Sequence, residues 1–550
     1  MKAVNRIARG AWMLGAFGLV VGLYACAAPD AQPNHTMPKP DGGDAGSASG
    51  GAGGGGGGSG GSGGNEPPTE PLAGVPQWAQ GFGGPADQRA YDLAYSSKLG
   101  GVAATIGFYQ AVVLPGGTTF TVPSSAPGLA VAKFGTATGT TEWAKNVECT
   151  STINRSVVSV DGEGNVIVAG GFNGTMTIGM DDMSMPIATT NASNFDAFIA
   201  KYDATGKPLW VRSFGEFKFE VITDVATDKQ GNIIVVGVTE GSAYEFGKTS
   251  GMSPVIPAPF TNDQNKDDLF VAKFDPAGNA IWAKRFGTAG GRNDGEGIGS
   301  LFDPIITVAV SQLDDSILVG GSFSQEMLLA VEKDVARGKD DGFVAAFDTG
   351  GNRLWHVTFG DDNSMQRVRN VAFTSKGEAL FTGSFQGMID VGGTKLTSYK
   401  ASEDLIVGKL DKDGKPVWVN GYGLMGKQQG TDILVDAKDQ PIVFGTFNGA
   451  IDFAKDGGSI VDTNVSELDK TDLFIAKFGL SGNPFWARAY GDVSALNADN
   501  QDTGGAVLAK DGDTNIAIIA GMNRASMDIK PLAPLTTAQI EDAFLIAVTY

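Results

Sequence analysis

From about residue 75 onward, apolar and polar positions alternate in short runs, and the runs come in pairs around glycine-bearing turns. DAFIAKYDATGKPLW (196–210), DLFVAKFDPAGNAIW (268–282), DGFVAAFDTGGNRLW (341–355), DLIVGKLDKDGKPVW (404–418) and DLFIAKFGLSGNPFW (472–486) place apolar residues on both sides of an x-G-[NK] turn. The pattern predicts β-hairpins with half-buried faces. Upstream, VVSVDGEGNVIVAGGF (157–172), ITDVATDKQGNIIVVG (222–237) and VRNVAFTSKGEALFTG (368–383) predict a second strand pair, hence four strands per unit. The hairpins end at tryptophans, and Trp78, Trp143, Trp210, Trp282, Trp355, Trp418 and Trp486 recur every 63 to 73 residues. A period that long holds about four short strands with their turns.

The two ends of the patterned region are complementary. VPQWAQGFG (75–83) reads as a fourth strand without its partner, and EDAFLIAVTY (541–550) as a third strand without its tryptophan strand. Joined, they complete one unit, the closure that ties a ring and removes sheet edges. Third strands starting near 128, 196, 268, 341, 404, 472 and 542 give seven. The expected fold is all-β: a seven-bladed β-propeller of four-stranded blades, with 75–83 completing the C-terminal blade. Second strands carry a recurrent glycine (Gly170, Gly237, Gly321, Gly383, Gly445, Gly521). Glycine inside a strand implies close backbone approach, expected where inner strands crowd the axis.

The motif D-x-F-[VI]-A-K-[FY]-D-x-x-G-[NK]-x-x-W after a glycine-bearing strand resembles the bacterial seven-bladed β-propeller repeat (SBBP repeat) family over about residues 75–550. The resemblance implies the fold and no single activity. The first repeat departs most, with Gly128 in place of the hairpin Asp and one extra turn residue before Trp143.

The 550-residue chain exceeds one ordinary core, which a radial repeat avoids because each unit buries its faces on its neighbours. Lys and Arg total 41 against 61 Asp and Glu, a net charge of −20, and no basic cluster follows the N-terminus. Nucleic acid is therefore not an expected partner. At the N-terminus Lys2, Arg6 and Arg9 precede an apolar run from Ala11 to Leu23, too short to span a bilayer as a helix and typical of a secretory signal. Leu23-Tyr24-Ala25-Cys26 resembles the lipobox of bacterial lipoproteins, which implies a signal peptide over 1–25 and lipid on Cys26. Acyl chains there would anchor the chain durably, at about 0.8 kcal/mol per buried methylene. Ala27 is not the Asp that retains enterobacterial lipoproteins at the inner membrane, so the expected address is the outer membrane or cell surface. Residues 26–74, with GGAGGGGGGSGGSGG, have almost nothing apolar to bury and read as a disordered tether spanning about 40 Å.

Candidate chemistry is sparse. The tryptophans could stack on sugars, but as hairpin residues they are expected in blade cores. Lys201 and Trp210, Lys273 and Trp282, Lys409 and Trp418, and Lys477 and Trp486 are nine apart, so each pair should face across its hairpin in a cation–π contact of about 0.5–1 kcal/mol. Acidic turns DKDG (411–414), DGDTN (511–515) and RNDGEG (292–297) raise calcium as the one conceivable cofactor. None has EF-hand spacing, and Asp and Asn also favour turns by bonding the local backbone. His356, the head's one histidine, stands where other repeats have Ala or Val and is expected to be structural; His35 lies in the lead. Cys149 reads as a small buried hydrophobe. Segments 239–268 and 389–404 vary most and are the expected place for specificity. No catalytic residue is assigned. The expected role is a monomeric, lipid-anchored binding or scaffolding module for a protein or polysaccharide. The alternative is a propeller lyase or glycan hydrolase using an Asp/Glu pair.

Overall fold

The computed structural model describes residues 73–550 except 124–125, 179–184, 189–193, 216–218, 241–242, 246–254, 258–266, 290–305, 330–332, 363, 454–470, 492–502, 512–513, 524–526 and 537–541. Cys26 and the 26–74 tether expected from the sequence lie outside the described residues, apart from Ala73 and Gly74 at the tether's end. Residues 69–550 form one compact unit.

Seven antiparallel four-stranded blades make up this unit. Blade 1 comprises Gln88–Ser96, Gly101–Tyr109, Pro127–Phe134 and Thr141–Cys149; blade 2, Thr152–Val160, Val166–Asn173, Asp196–Tyr202 and Pro208–Phe214. Blade 3 comprises Glu220–Thr227, Ile233–Glu240, Asp267–Phe274 and Ala280–Ala289; blade 4, Ile306–Val310, Ile317–Met327, Asp341–Phe347 and Arg353–Phe359. Blade 5 comprises Gln366–Phe373, Ala379–Phe385, Asp404–Leu410 and Pro416–Tyr422; blade 6, Gln428–Val435, Pro441–Phe447, Asp472–Phe478 and Pro484–Tyr490. Blade 7 takes Thr503–Asp511, Thr514–Asn523 and Asp542–Thr549 from one end of the sequence and Pro76–Phe82 from the other. The closing pair runs Trp78↔Ala547 to Phe82↔Ala543. No helix among the described residues is long and apolar enough to cross a membrane.

Each first strand packs against the first strand of the next blade, and the seventh against the first, so the first strands line the axis. Third strands are buried along nearly their whole length, and one apolar cluster fills each of the seven junctions between blades. At the closing junction Phe82 is fully buried and stacks on Phe134 of blade 1, ring centroids 5.5 Å apart.

Three of the recurrent glycines, Gly237, Gly383 and Gly445, have a cause more specific than crowding at the axis. They lie on the second strands, one step out from it. A register shift inserts one residue into the first strand between Ile222 and Asp224, Val368 and Asn370, and Gly430 and Asp432. The bulge throws the carbonyls of Val221, Arg367 and Gln429 onto the positions that a β-carbon of Gly237, Gly383 or Gly445 would occupy.

The tryptophans latch one blade to the next. The indole Nε1 of Trp78 donates to Thr136 O at 2.8 Å, Trp143 to Ala204 O at 3.1 Å, Trp210 to Pro276 O at 3.2 Å and Trp282 to Thr349 O at 3.1 Å. Trp355 and Trp418 donate to Lys412 O at 2.8 Å and Leu480 O at 2.9 Å. Every acceptor sits in the third-to-fourth-strand turn of the following blade. Each ring also lies on a left-handed glycine there: Gly139, Gly206, Gly278, Gly351, Gly414 and Gly482. At the seam the third and fourth strands of blade 7 come from opposite ends of the sequence, so the turn carbonyl is missing. Gly74 takes the glycine's place against Trp486, and its carbonyl accepts from Tyr490 Oη. Among the described residues Trp486 Nε1 has no acceptor. Trp418→Phe is therefore expected to cost about 1 kcal/mol more than Trp486→Phe, because only the former breaks a hydrogen bond. Urea unfolding of the two variants checks this, and equal losses would remove the latch.

Candidate functional site

The two faces of the ring differ in construction. Among the described residues one carries tight turns, those joining first to second and third to fourth strands. Most are built by an acidic residue that caps its own loop: Asp161 Oδ1 accepts from the backbone N–H of Glu163 and Asn165 at 3.0 and 2.9 Å, and Asp411 Oδ1 from Asp413 and Lys415 at 2.9 and 2.8 Å. Asp203, Asp228, Asp275, Asp348 and Asp436 repeat the arrangement. DKDG (411–414) is therefore a capped turn, while 292–297 and part of 511–515 lie outside the described residues. Among the described residues no group of three or more His, Cys, Asp or Glu is placed to hold a metal ion.

The lysines of the motif serve these turns. The register sets Lys201, Lys273, Lys409 and Lys477 opposite Trp210, Trp282, Trp418 and Trp486, as their spacing predicts. The expected cation–π contact does not form. Each ammonium reaches instead to the acid of its own blade's first turn: Lys201–Asp161 at 2.9 Å, Lys273–Asp228 at 2.9 Å, Lys409–Glu378 at 2.6 Å and Lys477–Asp436 at 3.1 Å. A buried ammonium gains more from a carboxylate than from a ring face. Burial works against the Asp161 and Asp228 carboxyls. The Asn165 amide and Lys201, and the Asn232 amide and Lys273, more than offset it, and both groups titrate below the ordinary carboxylate range.

The opposite face carries the second-to-third-strand loops and the links between blades, and the two sets are bridged at Gly83↔Val113, Asp340↔Met365, Glu403↔Lys427 and Gly491↔Asp528. Small hairpins stand on it, Ala111–Val113 with Thr119–Thr121 and Met388–Val391 with Thr394–Thr397. A buried Asp opens six of the seven third strands, at 196, 268, 341, 404, 472 and 542, and at 341 and 404 it fastens the loop before it. Asp404 accepts from Tyr399 N at 2.8 Å and Ser402 Oγ at 2.7 Å; Asp341 accepts from Arg337 N at 3.2 Å. A glycine ends the following fourth strand because the carboxylate fills its β-carbon position, as at Gly215, Gly360, Gly423 and Gly491. This explains both the D-x-F start and the F-G or Y-G end of the repeat. Burial raises the Asp341 carboxyl above its ordinary range, but the group is committed to its loop.

Other candidates are also committed. The Arg353 guanidinium can only donate, so His356 Nδ1 accepts from it at 3.0 Å while Nε2 donates to Asp334 Oδ2 at 3.0 Å. Cys149 is buried, its thiol donates to Asn173 O at 3.2 Å, and burial pushes its pKa up. Segment 389–404 forms the hairpin and the turn Tyr399–Ala401, and 239–268 is described only in part. Sequence reasoning missed a cleft of about 270 Å³ on the loop face between blades 1 and 2, lined by Asp87, Arg89, Tyr91, Phe108, Tyr109 and Thr152 among others. The one hint is Gly128, where the repeat has Asp.

No family model matches the chain. The chain is 24% identical over 503 residues to an uncharacterized WD repeat-containing protein, L264, of Acanthamoeba polyphaga mimivirus, covering 77% of this chain and 34% of that protein. It thus spans about a third of that relative's length. Among solved structures it is similar, at 10% identity and a TM-score of 0.35, to the polysaccharide lyase Uly1, covering 80% of this chain and 88% of that one. It is also similar, at 10% identity and a TM-score of 0.34, to a protein of unknown function from Dyadobacter fermentans DSM 18053, covering 72% of this chain and 95% of that one.

Proposed function

We propose that this propeller is a non-catalytic recognition module that binds a protein or polysaccharide partner through its loop face, held at the bacterial envelope by lipid on Cys26. The observation that carries the reading is the difference between the faces. One spends its polar residues on capping uniform turns. The other mounts dissimilar loops and hairpins on a repeated Asp–Gly fastening, so the loops vary without disturbing the blades. The groups with most chemical potential, His356, Cys149 and Asp341, are engaged in holding structure.

Capture from envelope extract and a glycan array, both with the 69–550 unit, test the binding reading. Saturable capture without turnover is expected. Release of shortened or unsaturated glycan would favour the lyase or hydrolase reading instead. For the anchor, Cys26→Ser is expected to move the full chain from the membrane to the soluble fraction, and an unchanged membrane share would remove lipid from the proposal.

A further inference from the structure

Blade 1 departs from the repeat at Gly128, and the departure has a structural consequence. Where the six other blades bury the fastening Asp, blade 1 lays the Phe108 ring across Gly128 and the Tyr91 ring across Gly107. The second-to-third-strand loop is held without that Asp, by its own hairpin and by the bridge from Val113 to Gly83 that three other blades also have in kind. What remains is the cleft of about 270 Å³ between blade 1 and the start of blade 2.

Its lining has a definite chemistry. Asp87 just ahead of the first strand, Arg89 within it and Tyr91 at its bulge all line the cleft. Tyr109, 47% exposed and the most exposed aromatic side chain among the described residues, lies beside Asp87 at the end of the neighbouring strand, and its backbone N–H donates to Asp87 O at 3.2 Å. Thr152 of blade 2 adds a hydroxyl at the mouth. Aromatic surface beside a carboxylate and a guanidinium matches a pyranose, which offers a flat C–H face and a rim of vicinal hydroxyls that planar polar groups bond in pairs. One acid and one base leave the lining without net charge, and the molecule carries −20, so a neutral ring fits better than a polyanion. The volume falls just under the roughly 300–1,000 Å³ of sites that enclose drug-sized ligands, which suits one ring rather than several.

We propose that the cleft between blades 1 and 2 is a subsite for one neutral pyranose unit of a glycan, a refinement that rests on the polysaccharide form of the recognition reading. The test is saturation-transfer NMR on the full chain with the methyl glycosides of glucose, galactose, mannose and N-acetylglucosamine. It is run for the wild type, Tyr109→Ala, Thr152→Trp and, as a control on another exposed loop-face aromatic, Tyr399→Ala. Circular dichroism confirms that each variant is folded. At least one glycoside is expected to bind the wild type at millimolar concentration, to weaken about tenfold or more in Tyr109→Ala and Thr152→Trp, and to be unchanged in Tyr399→Ala. Binding that survives both cleft variants overturns the subsite while leaving glycan recognition elsewhere on the face intact. No binding of any of the four to the wild type also overturns it, and capture of a protein from envelope extract then shows separately that the recognition reading stands.

Discussion

Deletion of residues 75–84 is expected to lower the apparent melting temperature of the propeller more than any single substitution. The deleted strand supplies the whole outer edge of blade 7, the Trp78 latch to blade 1, and Phe82, which is fully buried in the closing junction. Removing it strips the pairing of Asp542–Thr549 and opens the ring, exposing a long apolar strand edge to solvent and to other chains. Truncation of the phenylalanine alone gives a scale: Phe82→Ala should cost about 3–5 kcal/mol. The deletion variant should melt below Phe82→Ala and aggregate on heating. Thermal unfolding followed by circular dichroism and light scattering reads both. A deletion variant that melts with the wild type would mean that the ring does not depend on this strand.

The second large effect is expected at the turn face. Asp228, 3% exposed, accepts from Gln230 N at 3.0 Å, from Asn232 N and Nδ2 at 2.8 Å each, and from Lys273 Nζ at 2.9 Å. Asp228→Ala leaves Lys273 buried without its counter-charge, a loss of about 3–5 kcal/mol. Adding Lys273→Met removes the stranded ammonium, so the double variant should recover part of the loss. A single-variant cost below about 1 kcal/mol would show the pair screened like a surface ion pair.

The same carboxyls set a direction with pH. Asp161, Asp203, Asp228, Asp275, Asp314 and Asp348 all titrate below their ordinary range in the folded chain. Their stabilisation is complete above the unfolded value near 3.9 and is lost as pH falls through the folded values. Asp341, raised by burial, acts oppositely: it costs stability at neutral pH and is relieved by protonation. Among the described residues six such carboxyls oppose one, so the melting temperature should fall as pH drops below about 4, and a thermal-unfolding series from about pH 7 to 3 that showed no fall would contradict this.

How far this molecule can be read from its sequence depends on the range of each interaction. Strand pairs, the register of Lys201 against Trp210, the count of seven and the closing strand all follow from alternation and spacing, because those signals are local or repeat along the chain. The destinations of polar side chains do not. Lys201 sits opposite Trp210 yet reaches Asp161, forty residues earlier, and no spacing rule says that a buried ammonium will prefer that acid. Trp143 bonds Ala204 in the next blade, a contact set by how sheets splay around the axis. The glycines at 237, 383 and 445 are legible as close approaches, but the bulge carbonyl that demands them belongs to another strand. The blade 1 cleft is invisible for a related reason. Its only trace is a missing Asp at 128, and the space left by an absent side chain depends on what moves into it.

The faces can be told apart in one measurement. Cys149 is buried with a raised pKa, so single cysteines introduced into the 69–550 unit can be labelled selectively with a polyethylene glycol maleimide. Thr119→Cys and Lys395→Cys place the polymer on loop-face hairpins, and Lys98→Cys and Lys412→Cys on exposed turns of the same two blades. Capture of the partner or glycan is expected to be lost or sharply reduced by polymer at 119 or 395 and to persist with polymer at 98 or 412. Capture blocked from the turn face and untouched from the loop face would contradict the recognition reading.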